Sequence, residues 1–327
     1  MKIIAEMCQN HNGDDKTLFK MVDAAAEAGA SHIKMQHIYT KNLTFRPQFE
    51  EGLSLGKEVQ SIKRPYQHEF NRLKSLEISG KTCEAFVKHV ERIGLIPVTT
   101  CFARSNIEEI IQQGFKEIKV ASYDCASYQL IRDLSKNFRH LYISTGATFE
   151  NEIYHTYKIL RELNISYDLL HCVSLYPTPL EKLNLLRIKH LKKYSRNVGF
   201  SDHSLVDKNA LLASKAAIIC GANIIERHFT ILPQHETKDG PVSISSCHIS
   251  ELVKFSKMSL KEKLEDIGID DRLWASIKGS GFEQLSDEEL LNRDYYRGRF
   301  ASPRVEGSYH SSNFIYNWEE TNLAQKV

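Results

Sequence analysis

The sequence predicts an α/β protein, a (β/α)8 TIM barrel, on three observations. Short apolar runs recur along the chain, each stops abruptly at a polar cluster, and a helical pattern separates most of them. Strand, helix, strand, repeated about eight times, is the rhythm of that barrel. The series opens with Ile3–Ala5 before Glu6, His32–Ile33 before Lys34 and Gln36, and Ile96–Val98 before Thr99 and Thr100. It continues with Ile118 before Lys119 and Ser122, Leu141–Ile143 before Ser144, and Leu169–Leu170 before His171. Val198–Phe200 before Ser201, Asp202 and His203, and Ile224–Ile225 before Glu226 and His228, complete it. Apolar spacing of three and four predicts helices at about 16–29, 81–93, 105–113, 127–136, 150–163, 206–219 and 248–266.

Residues from about 37 to 80 interrupt the rhythm with Pro47, Gly52, Gly56 and Pro65 among charged and aromatic residues. So long a connection on the catalytic rim is expected to be a substrate lid or an interface element. The barrel domain is expected over residues 1–267 and a short irregular C-terminal extension, packed on it, over 268–327. Within that tail Ser286 and Glu289 fit a capping box, which predicts a short helix at Ser286–Asn292.

The 327 residues exceed the roughly 250 of a typical barrel, in keeping with a tail and insertions. A hydrophobic share of 42% is ample for a packed core. A net charge of +2 without a basic block argues against nucleic acid as a partner. No apolar stretch approaches the roughly 20 residues that span a bilayer, and the first strand starts too early for a signal peptide. A cytoplasmic protein with no membrane partner is expected. Its seven scattered cysteines form no Cys-x-x-Cys pair and are expected to be reduced, most of them acting as small hydrophobes.

Barrels of this kind keep their chemistry at the C-terminal ends of the strands, so the polar clusters should converge on one rim. His203 and His228 end consecutive strands, about 4.8 Å apart, and can share one divalent metal. A site that leaves positions to water and substrate suits Mn²⁺, Fe²⁺ or Co²⁺ better than a closed zinc cage. Lys119 with Ser122, Ser144, Ser174 and Ser201 can hold a phosphate dianion, and Gly146 lets the backbone approach. A Schiff-base lysine and a surface ion pair are the competing readings of Lys119. Glu6 can move a proton or hold a substrate hydroxyl. Lys34 and Gln36 share a strand face by the period of two and should both look into the mouth. Tyr176-Pro177-Thr178-Pro179 forms a stiff aromatic rim loop suited to a sugar.

With these residues in view, the chain resembles the sialic acid synthase family of nonulosonic acid synthases. The resemblance is carried by Ile4-Ala5-Glu6 with Asn10-His11-Asn12-Gly13, Lys34-Met35-Gln36 and Lys119-Val120-Ala121-Ser122. Ser144-Thr145-Gly146, Leu170-His171-Cys172, Ser201-Asp202-His203 and Glu226-Arg227-His228-Phe229-Thr230 extend it over about residues 1–265. It implies condensation of phosphoenolpyruvate with an acylated amino sugar to a nine-carbon 2-keto acid, with release of phosphate. It further implies His203 and His228 as ligands of a divalent metal, Mn²⁺ with Mg²⁺ or Co²⁺ as alternatives. Lys119, Ser122, Ser144 and Ser201 fall at the phosphate site, with Ser174 where some relatives have Asn. Glu6, Lys34, Gln36, Asp124 and Tyr176 fall where relatives contact the sugar or the reacting atoms. Asp239 matches a sugar-contacting Asp by its spacing from Ser243. The family's usual antifreeze-like domain, which completes a homodimer and places an arginine over the sugar's acyl group, is not expected here. Arg297 or Arg299 could replace that arginine, or the tail could only cap the barrel. A different aldose or sugar phosphate as acceptor, a metal-dependent aldolase without phosphoenolpyruvate, and a non-catalytic sugar-binding barrel remain the other readings.

Overall fold

The computed structural model describes residues 1–56, 58–206, 211–282, 285–304, 313–321 and 323. Eight parallel strands close into a barrel: β1 (Lys2–Cys8), β2 (His32–His37), β3 (Ile96–Cys101), β4 (Glu117–Val120), β5 (His140–Ser144), β6 (Ser166–Cys172), β7 (Val198–Asp202) and β8 (Ile224–His228). Each strand pairs with its neighbours in sequence, and β8 returns to β1, matching Glu6 with His228. This is the barrel that the strand–helix rhythm predicts.

Alternation along the strands sorts the side chains. One set faces the helices and builds the main core from residues such as Ile33, Ile118, Ile143 and Ile225. The other set fills the lumen in layers. An apolar layer of Ile4, Val98, Tyr142, Leu170 and Ile224 lies at its middle. Below it Asp168 pairs with Lys2 and His140, and the Tyr142 hydroxyl accepts from Lys2 and donates to Glu117. Above it lies the candidate site.

The helices follow the sequence pattern with corrections. α1 (Asp15–Glu27) starts where Asp14 accepts the Thr17 N–H, and α2 (Tyr66–Lys74) and a small hairpin (Leu53–Leu55, Glu58–Ser61) occupy the long second connection. α3 (Gly80–Arg92), α4 (Ile107–Gln112), α5 (Tyr128–Ser135), α6 (Glu150–Glu162) and a short α7 (Arg187–Leu191) come next. The helix expected at 206–219 is α8 (Leu212–Ile219), and the expectation for residues 207–210 lies outside the described residues. The helix expected at 248–266 is two, α9 (Ser246–Lys257) and α10 (Leu260–Ile267), because Met258 turns to ψ 154 and Ser259 recaps the chain. Beyond residue 267 the chain forms α11 (Asp271–Lys278) and α12 (Asp287–Tyr296), the latter starting with the capping box of Ser286 and Glu289. α12 runs past the mouth. Its Glu289 accepts the Ser174 N–H at 3.1 Å, Asn292 donates to the Ser174 carbonyl, and Arg293 bridges the Ala147 carbonyl and Glu152. Among the described residues no helix is long and apolar enough to cross a membrane.

Candidate active site

The upper lumen layer is a chain of alternating charges. Glu6 of β1 pairs with Lys34 of β2, which their ladder register places side by side. Lys34 Nζ lies 3.5 Å from Glu226 Oε1, and Glu226 Oε2 lies 3.4 Å from Lys119 Nζ. Lys119 in turn donates to Ser144 Oγ at 2.6 Å. All five side chains are buried. Burial, reinforced by Lys119, brings the Lys34 ammonium down to about 8 despite the opposing pull of Glu226. Burial would push Glu226 up, but Lys119 and Lys34 outweigh it and hold its carboxyl well below the usual range.

Ser144 bonds to Lys119, and Ser122, Ser174 and Ser201 lie around Cys172 at the neighbouring strand ends. Ser122 donates to Cys172 Sγ, and Ser201 is buried in register with Glu226 and Cys172. Ser174 Oγ is buried near Gly146, where an added Cβ would stand 2.5 Å from it and 3.0 Å from the Cys172 carbonyl. Gly146→Ala should therefore push the ends of β5 and β6 apart, costing about 1–3 kcal/mol. A melting midpoint unchanged by that substitution would contradict the close approach.

His203 and His228 meet at the rim with ring centres 5.4 Å apart. The Tyr176 ring, half exposed, lies 4.1 Å from that of His203. Burial and the neighbouring His228 lower His203 to about 3, and burial lowers His228 as well, so both imidazoles are neutral, as metal ligands must be. His228 Nδ1 is buried and has no hydrogen-bond partner, and its nearest carboxylate oxygen, Asp239 Oδ2, is 3.8 Å away. Cys8 Sγ, a His228 nitrogen and an Asp239 oxygen lie within 4.8 Å of one another. This donor set fits a divalent metal.

Asp202, beside His203 in sequence, faces the helices, where it pairs with Arg227 and accepts from Ser214, so it is not free for a metal. Asp124 is buried and its carboxylate accepts from Ser127 Oγ at 2.7 Å and from the tail's Asn317 at 3.1 Å. Burial raises its pKa. Gln36 is half-buried on β2. Arg299 is half-buried and pairs with Glu69, while Arg297 approaches Glu152 and stacks near Trp318. Cys8 and Cys172 lie in the site, and of the two only Cys172 stands in a motif that the sequence marks out. The one available signal was that Cys8 follows Glu6 by two residues on the same strand.

A buried layer of alternating lysines and carboxylates at the mouth of a closed parallel barrel, with two imidazoles beside it, defines a candidate catalytic barrel. Comparison with known proteins agrees: residues 21–264 match the NeuB family, and the chain belongs to that family. An uncharacterized protein of Methanocaldococcus jannaschii is 32% identical over 265 residues, which cover 80% of this chain and 71% of that one. The pseudaminic acid synthase of Campylobacter jejuni is 27% identical over 314 residues, 93% of this chain and 82% of its own. The crystal structure of N-acetylneuraminic acid synthetase from Leptospira borgpetersenii superposes with a TM-score of 0.65 at 26% identity, covering 90% of each chain.

Proposed function

We propose that this protein condenses phosphoenolpyruvate with the open-chain aldehyde of an acylated, N-acetylmannosamine-like amino sugar. The products are phosphate and a nine-carbon 2-keto acid of the sialic, legionaminic or pseudaminic type. The observation that carries this reading is the buried Lys34–Glu226–Lys119 chain ending on Ser144, next to His203 and His228. Lys119 with Ser144, Ser122 and Ser201 receives the phosphate and stabilises it as the C–O bond to C2 breaks. C3 of the enol bonds to the aldehyde carbon, and the aldehyde oxygen takes a proton as it becomes a hydroxyl. Lys34, lowered to about 8, is matched to supply that proton near neutral pH. Glu6, which pairs with Lys34 and accepts the Cys8 N–H at 2.6 Å, takes the proton of the water that adds at C2. A divalent metal held by His203 and His228 would polarise the aldehyde as a Lewis acid.

Glu6→Gln should lower kcat by about 10²–10⁴ and leave KM nearly unchanged. Near-normal turnover would remove Glu6 from the mechanism. The whole reading is tested by phosphate release from phosphoenolpyruvate with a panel of 2-acetamido sugars, followed by mass spectrometry of the product. Its failure would be the absence of acceptor-dependent phosphate with every sugar.

A phosphorylated acceptor is the second reading, and one observation favours it. Arg46, Arg64 and Arg299 line one pocket together with Glu50 and Glu69, against the rings of Tyr66 and Tyr295. Three cations set against two carboxylates suit an anion. The same panel with sugar 6-phosphates decides between the two by their kcat/KM values.

A further inference from the structure

We propose that Cys8 and Asp239 join the His203–His228 pair, on the His228 side, as protein ligands of the cation, a thiolate–imidazole–carboxylate set that selects a thiophilic ion. Such ions are of the zinc, cobalt or ferrous type, in preference to magnesium or manganese. The inference rests on reading the rim as a metal site and says which side chains, and therefore which ions, define it.

Four observations point the same way. The ligand atoms of Cys8, His228 and Asp239 already lie within 4.8 Å of one another, so a shift of about an ångström closes them on one ion. His228 Nδ1 is buried, has no hydrogen-bond partner and faces this group. Cys8 also departs from most of the other thiols: Cys83, Cys101, Cys125 and Cys220 pack into the hydrophobic core, whereas Cys8, like Cys172, is buried but belongs to none of the apolar clusters.

The fourth observation is in the backbone. Cys8 has φ +50, a left-handed conformation that glycine adopts freely and a residue with a Cβ resists. It arises where the β1–β2 ladder slips between Glu6 and Cys8, a bulge of the kind that re-aims a side chain beside an active site. Glu6 Oε1 fastens that turn by accepting the Cys8 N–H. A Cβ held in so resisted a conformation, with its sulfur beside an imidazole and a carboxylate, is what a ligand clamp requires.

The test strips the full-length chain with a chelator under reducing conditions and reloads it with one equivalent of Co²⁺. A thiolate ligand gives a sulfur-to-cobalt charge-transfer band in the near ultraviolet. The band is expected in the wild type and in Cys172→Ser, and is expected to vanish in Cys8→Ser and Cys8→Gly. The same two variants should bind Co²⁺ more weakly by at least about tenfold, the least that loss of a metal-site partner costs. Cys8→Gly relieves the left-handed strain, so it keeps its fold and separates a lost ligand from a lost structure. A band that survives in Cys8→Gly, or a wild-type chain that holds one cobalt ion without the band, would overturn the assignment and leave the histidine metal site standing. A wild-type chain that retains no cobalt at dialysis equilibrium would remove both.

Discussion

Glu226→Gln is expected to lower the melting midpoint by on the order of 10 °C and to turn phosphate into a strong stabiliser. Glu226 is the single carboxylate between Lys34 and Lys119, within 3.5 Å of both. Lys34 retains Glu6 in the variant, but Lys119 retains only the Ser144 hydroxyl and the Val120 carbonyl. An ammonium with no counter-ion is then left in a buried site, and breaking such a pair costs about 3–5 kcal/mol. In a chain this long each kcal/mol moves the midpoint by about 2–4 °C. A phosphate dianion placed against Lys119 supplies the missing charge, so it should raise the midpoint of the variant well above its effect on the wild type. Thermal melts with and without inorganic phosphate measure both effects. Equal phosphate shifts in the two proteins would show that Lys119 does not face the anion site.

Why Glu226 could be noticed in the sequence but not given this role is a matter of range. The strand–helix rhythm depends on local periodicity, so the barrel and the polar residues at its strand ends were legible without coordinates. Lys34, Lys119, Ser144, His203 and His228 all reach one rim because a parallel barrel leaves them no alternative. Closure of β8 on β1, however, sets Glu226 opposite Ile4 and His228 opposite Glu6, pairs separated by more than two hundred residues. No sequence window holds such a pair. Asp202 shows the limit at short range: it adjoins His203, yet alternation turns it outward to Arg227. The tail was legible only in part: the capping box of Ser286 and Glu289 marked the start of α12, but not its length or where it docks. α12 has Glu289 and Tyr295 buried, so part of what it presents to the barrel is polar, and Arg293 and Asn292 anchor it through hydrogen bonds. A helix held by polar contacts carries little apolar periodicity to detect. Cys8 escaped because a buried cysteine in an apolar strand reads as a small hydrophobe, and only its positive φ and its neighbours separate it from the core thiols.

The second large effect is on acid stability, and most of it lies outside the metal site. His11, His32, His37 and His171 are all buried, and burial lowers each to about 4. The opposing carboxylates, Glu117 beside His32 and Glu109 beside His37, do not overcome it. His171 Nε2 donates to the Leu183 carbonyl at 2.7 Å, which favours charge on the ring, but burial, with Arg187 nearby, outweighs it. The sign follows from proton counting. Between pH 6.5 and about 4 the unfolded chain binds protons that the folded chain refuses, so stability is full above that window and falls as pH drops through it. Each group contributes at most about 1.4 kcal/mol per pH unit, and the four together on the order of 5, against a total stability of about 5–15 kcal/mol. Asp168 adds loss of the same sign below the window, since His140 and Lys2 hold it low. The metal-free protein should therefore unfold cooperatively near pH 5, well before its carboxylates are neutralised. Denaturant midpoints at half-unit pH steps give the slope. Without metal His203 and His228, also lowered, join the four, so His171→Gln, which removes one of six such groups, should flatten it by about a sixth. Midpoints that stay level from pH 6.5 to 4.5 would mean that these imidazoles reach water in the folded state.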